Sequence, residues 1–164
     1  MSKLTNQFVS RLSKAFFVGA CSFGLAVSAN AAPATTTNTA TMTKSKPVFL
    51  GDGGDYPFSS AVRVGDTLYM SGQIGFKDGK LVEGGIKAEA AQTLDNINDV
   101  LLQYGYQKSD LIKCMAMLTD MNDFNAFNEV YKAKLAKPYP VRSAFGVKDL
   151  AAGASVEVEC MAAK

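Results

Sequence analysis

Between Pro138 and Glu159 the chain reads PYPVRSAFGVKDLAAGASVEVE, and this stretch narrows the possible folds more than any other. Pro138 and Pro140 fix φ and disfavour helix, which delivers Arg142 at the head of an extended apolar segment. A small-residue turn follows. Ser155 to Ala162, SVEVECMA, then alternates with a period of two. Val156, Val158 and Cys160 share one face of that strand, and Glu157, Glu159 and Met161 share the other. If the two extended segments pair as a hairpin, a fixed guanidinium lies near a fixed carboxylate. The pairing register is not written in the sequence.

The segments upstream supply the rest of a sheet and its cover. Ala61 to Val64 and Thr67 to Ser71 are short strands joined at Gly65-Asp66, a hairpin signal. Gly51 to Asp55 (GDGGD) lacks the lysine and following helix of a phosphate loop and reads as a turn. Lys77 to Lys80 is a further turn. From Ile86 the period changes: Ile86, Ala90, Leu94, Ile97, Leu101 and Tyr104 recur at three- and four-residue steps, with Lys87, Glu89, Asp95, Asp99 and Gln103 expected to face away. Gly105 closes this helix. Ile112 to Thr119 is an apolar strand expected to be covered on both faces. Asn122 is expected to cap a second helix, whose stripe is Phe124, Phe127, Tyr131 and Leu135, with Asn128 lying on it. The order is β-β-α-β-α-β-β, an α+β arrangement in which two helices cover one face of a small sheet. Burying the other face against copies of the same chain predicts a homo-oligomer.

Of the 164 residues, the first 31 are not expected to join this domain. Lys3, Arg11 and Lys14 precede an uncharged apolar run, Ala15 to Ala29, and Ala29-Asn30-Ala31 supplies small residues at the spacing of a cleavage site. This predicts a cleavable signal peptide, cut after Ala31, and a periplasmic or secreted protein with no stable membrane anchor. The run is short for a transmembrane helix. Residues 32–46, Thr-rich and polar, read as a disordered tether, and the folded domain as 47–164. Lys and Arg number 17 against 15 Asp and Glu, and the leader removes three bases and no acid. The net charge of the remainder is therefore −1, which is not the electrostatic footprint of a nucleic-acid binder. Cys114 and Cys160 both fall in strands. Burial as two small apolar residues is expected, with pairing in an oxidising compartment the alternative. The absence of histidine removes the usual general base, every Ser-His or Cys-His nucleophile, and any resemblance to a zinc site.

The element order, SGQI at Ser71 to Ile74, TLDNINDVL at Thr93 to Leu101, LTDMNDFNAFNEVY at Leu118 to Tyr131, and PVRSAF followed by VEVE together resemble the RidA (YjgF-like) family of reactive-intermediate deaminases. The resemblance covers nearly all of 47–164. It implies a chorismate-mutase-like α+β fold, a homotrimer with ligand clefts between subunits, and hydrolysis of 2-imino or enamino acids to 2-oxo acids and ammonia without a cofactor. By the same resemblance Arg142 holds the substrate carboxylate and Glu157 positions the attacking water. Ser71, Gly72 and Asn128 line the cleft. Two substrate-binding positions depart from the family's common residues: Phe58 stands where a tyrosine is frequent, and Ala144 where a cysteine is.

Those residue types suit that chemistry. A guanidinium is planar and permanently charged, so it grips a carboxylate through two parallel hydrogen bonds. A protonated imine carbon is already electrophilic and needs a water delivered in line, which a carboxylate can hold and deprotonate. Plainer roles stand beside each of these. Arg142 or Glu157 would serve equally in an ion pair at a subunit interface, Asn128 as a buried amide, Phe58 as a core aromatic, and Ser71-Gly72 as a tight backbone approach. The alternatives to imine hydrolysis are a non-catalytic small-molecule-binding or holdase-like trimer, and an endoribonuclease.

Overall fold

A computed structural model describes residues 45–164. The expected leader and most of the expected tether lie outside the described residues. Among those described, no helix is long and apolar enough to cross a membrane.

Every strand and helix expected from periodicity is present, with additions. Strands β1 (Val48–Leu50), β2 (Ala61–Val64) and β3 (Thr67–Met70) form an antiparallel meander. The β2–β3 turn falls at Gly65-Asp66, where Gly65 has a φ of 58° that a side chain would resist. A two-residue strand β4 (Gln73–Ile74) and a small ribbon, β5 (Phe76–Lys77) with β6 (Lys80–Leu81), lead into helix α1 (Gly85–Gln103). Strand β7 (Leu111–Leu118), helix α2 (Phe124–Lys134), strand β8 (Val141–Gly146) and strand β9 (Val156–Ala163) complete the chain. The sheet order is β1-β2-β3-β9-β7-β8, with β4 also paired to β9.

The helices pack on one face. Leu94, Ile97 and Leu101 of α1 and Phe127 of α2 meet Leu68, Leu118, Val156 and Val158 in a core where each is at most 2% exposed. Burial of such side chains contributes about 1.5–3 kcal/mol each before entropy is charged against it.

Five expectations are corrected. The last two strands do not form a hairpin. Strands β7 and β8 are parallel, joined through α2 as a crossover unit, which leaves β8 at the sheet edge. The chain then passes over the end of β7, where Val147 N–H donates to the Leu118 carbonyl (2.8 Å) and Thr119 N–H donates to the Ser155 carbonyl (3.1 Å). Strand β9 enters the middle of the sheet, where its fully apolar face is buried.

Second, β7 is covered on one face only: Cys114, Ala116 and Leu118 are buried, while Lys113 is exposed and Met115 and Met117 are half-buried. Third, Asp120 rather than Asn122 is the capping side chain. It accepts from Asn122 N–H at 2.8 Å at the start of a short 3-10 turn that precedes α2. Fourth, Glu89 does not face away but is buried against Ser155. Fifth, Cys114 and Cys160 are joined in a disulfide. They stand directly opposite each other on antiparallel β7 and β9, a register that their separation of 46 residues could not disclose.

Candidate functional site

Six of the seven residues singled out in the sequence fall into two groups, one around Arg142 at the β8 edge and one around Glu157 where β4 meets β9; Phe58 lies in the loop before β2 and is not brought against either charge.

The first group forms on the helix face at the β8 edge. Arg142 lies beside Cys114 in the parallel pairing and shares that residue's face. Helix α2 presents Phe124, Phe127, Asn128 and Tyr131 at positions i, i+3, i+4 and i+7, one face of the helix, so all four meet the guanidinium. The Arg142 Cζ lies 4.6 Å from the centre of the Tyr131 ring, 5.4 Å from Phe127 and 5.7 Å from Phe124. Its NH2 group donates to Asn128 Oδ1 at 2.7 Å. Cation–π contacts and a neutral amide hold the charge without neutralising it. Among the described residues Arg142 makes no ion pair; the pairs formed are Lys87–Glu129, Lys134–Asp95 and Lys148–Asp149.

Arg142 borders a cavity of about 240 Å³ lined also by Asn128, Tyr131, Lys132, Tyr139 and Pro140. Burial pushes the Tyr131 phenol up, with the Arg142 charge opposing. Ala144 lies two residues further along β8, half-buried against the core. A methyl there offers the cleft no hydrogen-bonding group.

The second group forms where β4 meets β9. Glu157 projects from β9 on the face away from the helices, opposite Ile74 on one side and Met117 on the other. Gly72 abuts its carboxylate, and any side chain at that position would collide with it. Ser71 is fixed beside it: its Oγ donates to the Ser59 carbonyl at 2.7 Å, and its N–H donates to the Ser60 carbonyl at 3.0 Å. Burial, then the neighbouring Glu159, raises the Glu157 pKa above its ordinary value. Phe58, next to Ser59 in the chain, is half exposed and stacks on Tyr56 with ring centres 5.7 Å apart.

Within one chain the two groups do not meet. Strand β7 separates β8 from β9, Arg142 and Glu157 point to opposite faces, and their β7 partners Cys114 and Met117 are three residues apart, roughly 10 Å. The sequence reading named Arg142, Asn128, Glu157 and Gly72 but missed Tyr139 and Lys132 as cavity walls. Tyr139 carried a signal, since prolines on both sides hold it extended next to Arg142. Lys132, outside the apolar stripe, carried none.

The fold is thus an α+β sheet with both helices on one face, and with a cationic cavity at one edge. Comparison with known proteins names the family: residues 54–164 match the family described as Endoribonuclease L-PSP, and the chain belongs to it. Over 108 residues the chain is 41% identical to the human 2-iminobutanoate/2-iminopropanoate deaminase, covering 65% of this chain and 79% of that one. Among solved structures it is similar to RidA from an Antarctic Psychrobacter, at 40% identity and a TM-score of 0.64, covering 71% of this chain and 94% of that one. It is also similar to E. coli TdcF with bound serine, at 30% identity and a TM-score of 0.63, covering 66% and 89%.

Proposed function

We propose that this protein hydrolyses 2-imino acids to 2-oxo acids and ammonia, in clefts between the subunits of a homotrimer. The observation that carries the reading is the Arg142 guanidinium: stacked on three aromatic rings, anchored by a neutral amide, free of any described carboxylate and bordering a cavity. A cation held in this way is poised for an acidic ligand from outside the chain. The names of the relatives agree, and the TdcF structure holds an α-amino acid that carries the same carboxylate.

The split site supports assembly of more than one copy, and the proposal takes it as a trimer. The uncovered sheet face carries Val62, Tyr69, Met115, Met117, Phe145 and Met161 around Glu157, a surface that a second copy would bury. A neighbour docked there brings its own β8 edge with it, so that Arg142 of one copy faces Glu157 of another.

In that cleft Arg142 binds the substrate carboxylate and fixes the imine carbon. Glu157, a stronger base for its burial, holds a water and takes its proton as the water oxygen bonds to carbon. The proton then passes to nitrogen; as the carbon–nitrogen bond breaks, the hydroxyl proton returns to Glu157, the carbonyl forms, and ammonia leaves the 2-oxo acid. Most of the acceleration comes from positioning.

Export is part of the same proposal. The buried Cys114–Cys160 disulfide suits an oxidising compartment.

The test generates 2-iminopropionate and longer homologues in situ and follows release of ammonia and oxo acid. Two charge-assisted hydrogen bonds lost in Arg142→Ala are together about 3 kcal/mol or more, so kcat/KM falls at least about a hundredfold. Arg142→Lys does not restore it, because an ammonium lacks the planar fork. Equal rates in wild type and both variants would leave a carboxylate-binding trimer without chemistry. RNA cleavage that survives Arg142→Ala would favour a nuclease.

A further inference from the structure

Glu89 is a buried carboxylate for which the proposed chemistry has no use, and it sits where two parts of the chain converge on Glu157. It lies on the first turns of α1 and is 7% exposed. Its Oε2 accepts from Ser155 N–H at 2.7 Å and its Oε1 accepts from Ser155 Oγ at 2.8 Å. Ser155 is the residue before β9, two positions from Glu157. From the other side Gly75 packs onto the Glu89 backbone so closely that an added Cβ would lie 2.8 Å from Glu89 Cα. Gly75 directly follows Ile74, the strand partner of Glu157.

A second side chain on the same helix reinforces this arm. Asn96 Nδ2 donates to the carbonyls of Ile74 (3.0 Å) and Phe76 (2.9 Å), and its Oδ1 accepts from Gln92 at 2.7 Å. The two strands whose pairing sets the height of Glu157 beside Gly72 are thus both fastened to α1, one of them through a single carboxylate.

We propose that Glu89 is a positioning residue for Glu157: by holding Ser155 while its own backbone seats Gly75, it fixes the β4–β9 register that presses the Glu157 carboxylate against Gly72. A carboxylate suits this task because it accepts two hydrogen bonds at once, each stronger for the charge. Within one chain Glu157 has few charged neighbours that could do the same by electrostatics, and in the proposed assembly Arg142 of the next copy faces it equally in wild type and in every Glu89 variant. Glu159 shares its face on β9, β4 offers Ile74, and β7 offers Met115 and Met117, with Lys113 farther along opposite Met161. Burial first and the Glu159 charge second raise the Glu157 pKa, so a looser β4–β9 enclosure should lower it.

The kinetic arm of the test rests on the proposed imine hydrolysis; the titration arm does not. In the full-length protein the Glu157 side-chain carboxyl is titrated by carbon-13 NMR in wild type, Glu89→Gln and Glu89→Ala, with Ile97→Val as a control for lost stability. Glu89→Ala is expected to lower the Glu157 midpoint toward that of an ordinary carboxylate, and to cut kcat about tenfold while KM stays within about twofold. In Glu89→Gln the side-chain oxygen still accepts from Ser155 N–H and the amide N–H donates to Ser155 Oγ, so both bonds are kept and both readouts stay near wild type. If Glu89→Ala does not fold, Ser155→Ala, which removes one of the two bonds, is expected to shift the midpoint in the same direction. A wild-type midpoint in Glu89→Ala, or in Ser155→Ala standing in for it, overturns the proposal even where the melting temperature falls. If wild type hydrolyses no imine, the functional reading fails and the titration alone decides the role of Glu89.

Discussion

At the scale of single residues, the two charges of the candidate site are held by opposite devices. Arg142 keeps its charge exposed to a cavity by leaning on rings and a neutral amide, whereas Glu157 is crowded by backbone at Gly72 and by Glu159. Crowding has a cost with a definite sign. The folded state binds the Glu157 proton more tightly than the unfolded chain does, so the group's contribution to stability declines as pH rises from the ordinary carboxylate pKa through the raised one. Glu157→Gln should therefore melt at a higher temperature than wild type at pH 7, with the difference shrinking below the ordinary value, and it should be inactive. A lower melting temperature at pH 7 would contradict the stated burial of the charge. Arg142 and Glu157 were legible in the sequence because proline context and strict alternation mark them. Glu89 was misread because it borders the apolar stripe of α1, one turn before the buried Thr93, and its charge argues for solvent unless the donors that the turn before β9 brings to it are known.

At the scale of elements, periodicity marked the strands and helices but not their partners. An apolar strand with period two demands a covered face without saying which strands flank it, so β8 and β9 read as a hairpin when β7 lies between them. The same missing register hid the disulfide, which joins the middle strand to the one that carries β8. Because the bond closes a long loop in the unfolded chain, its removal should cost about 2–4 kcal/mol. Chemical denaturation of the Cys114→Ala/Cys160→Ala double variant should show a lower midpoint and a steeper denaturant slope, because the unfolded chain without the cross-link exposes more surface. An unchanged midpoint would mean that the two sulfurs are not joined in the purified protein.

At the scale of the whole molecule, the proposed cleft needs more than one copy of the chain. A sheet with helices on one side and Tyr69, Met117 and Phe145 on the other has an uncovered apolar face, and the two halves of the site lie on different sides of it. A sequence of one chain can indicate that such a face wants cover but cannot give the geometry of the neighbour that supplies it. Sedimentation velocity should find a trimer that persists on dilution. Met117→Lys, which puts a charge into the proposed interface, should give smaller species with little activity.

The most direct measurement mixes two inactive variants. Arg142→Ala and Glu157→Gln proteins are unfolded together, refolded at equal concentration and assayed for imine hydrolysis, with the variant make-up of the trimers read by native mass spectrometry. If each cleft takes its arginine from one subunit and its glutamate from another, one cleft in every hybrid trimer is intact, and activity should return to roughly a quarter of wild type. Hybrid trimers as inactive as either parent would contradict the shared cleft.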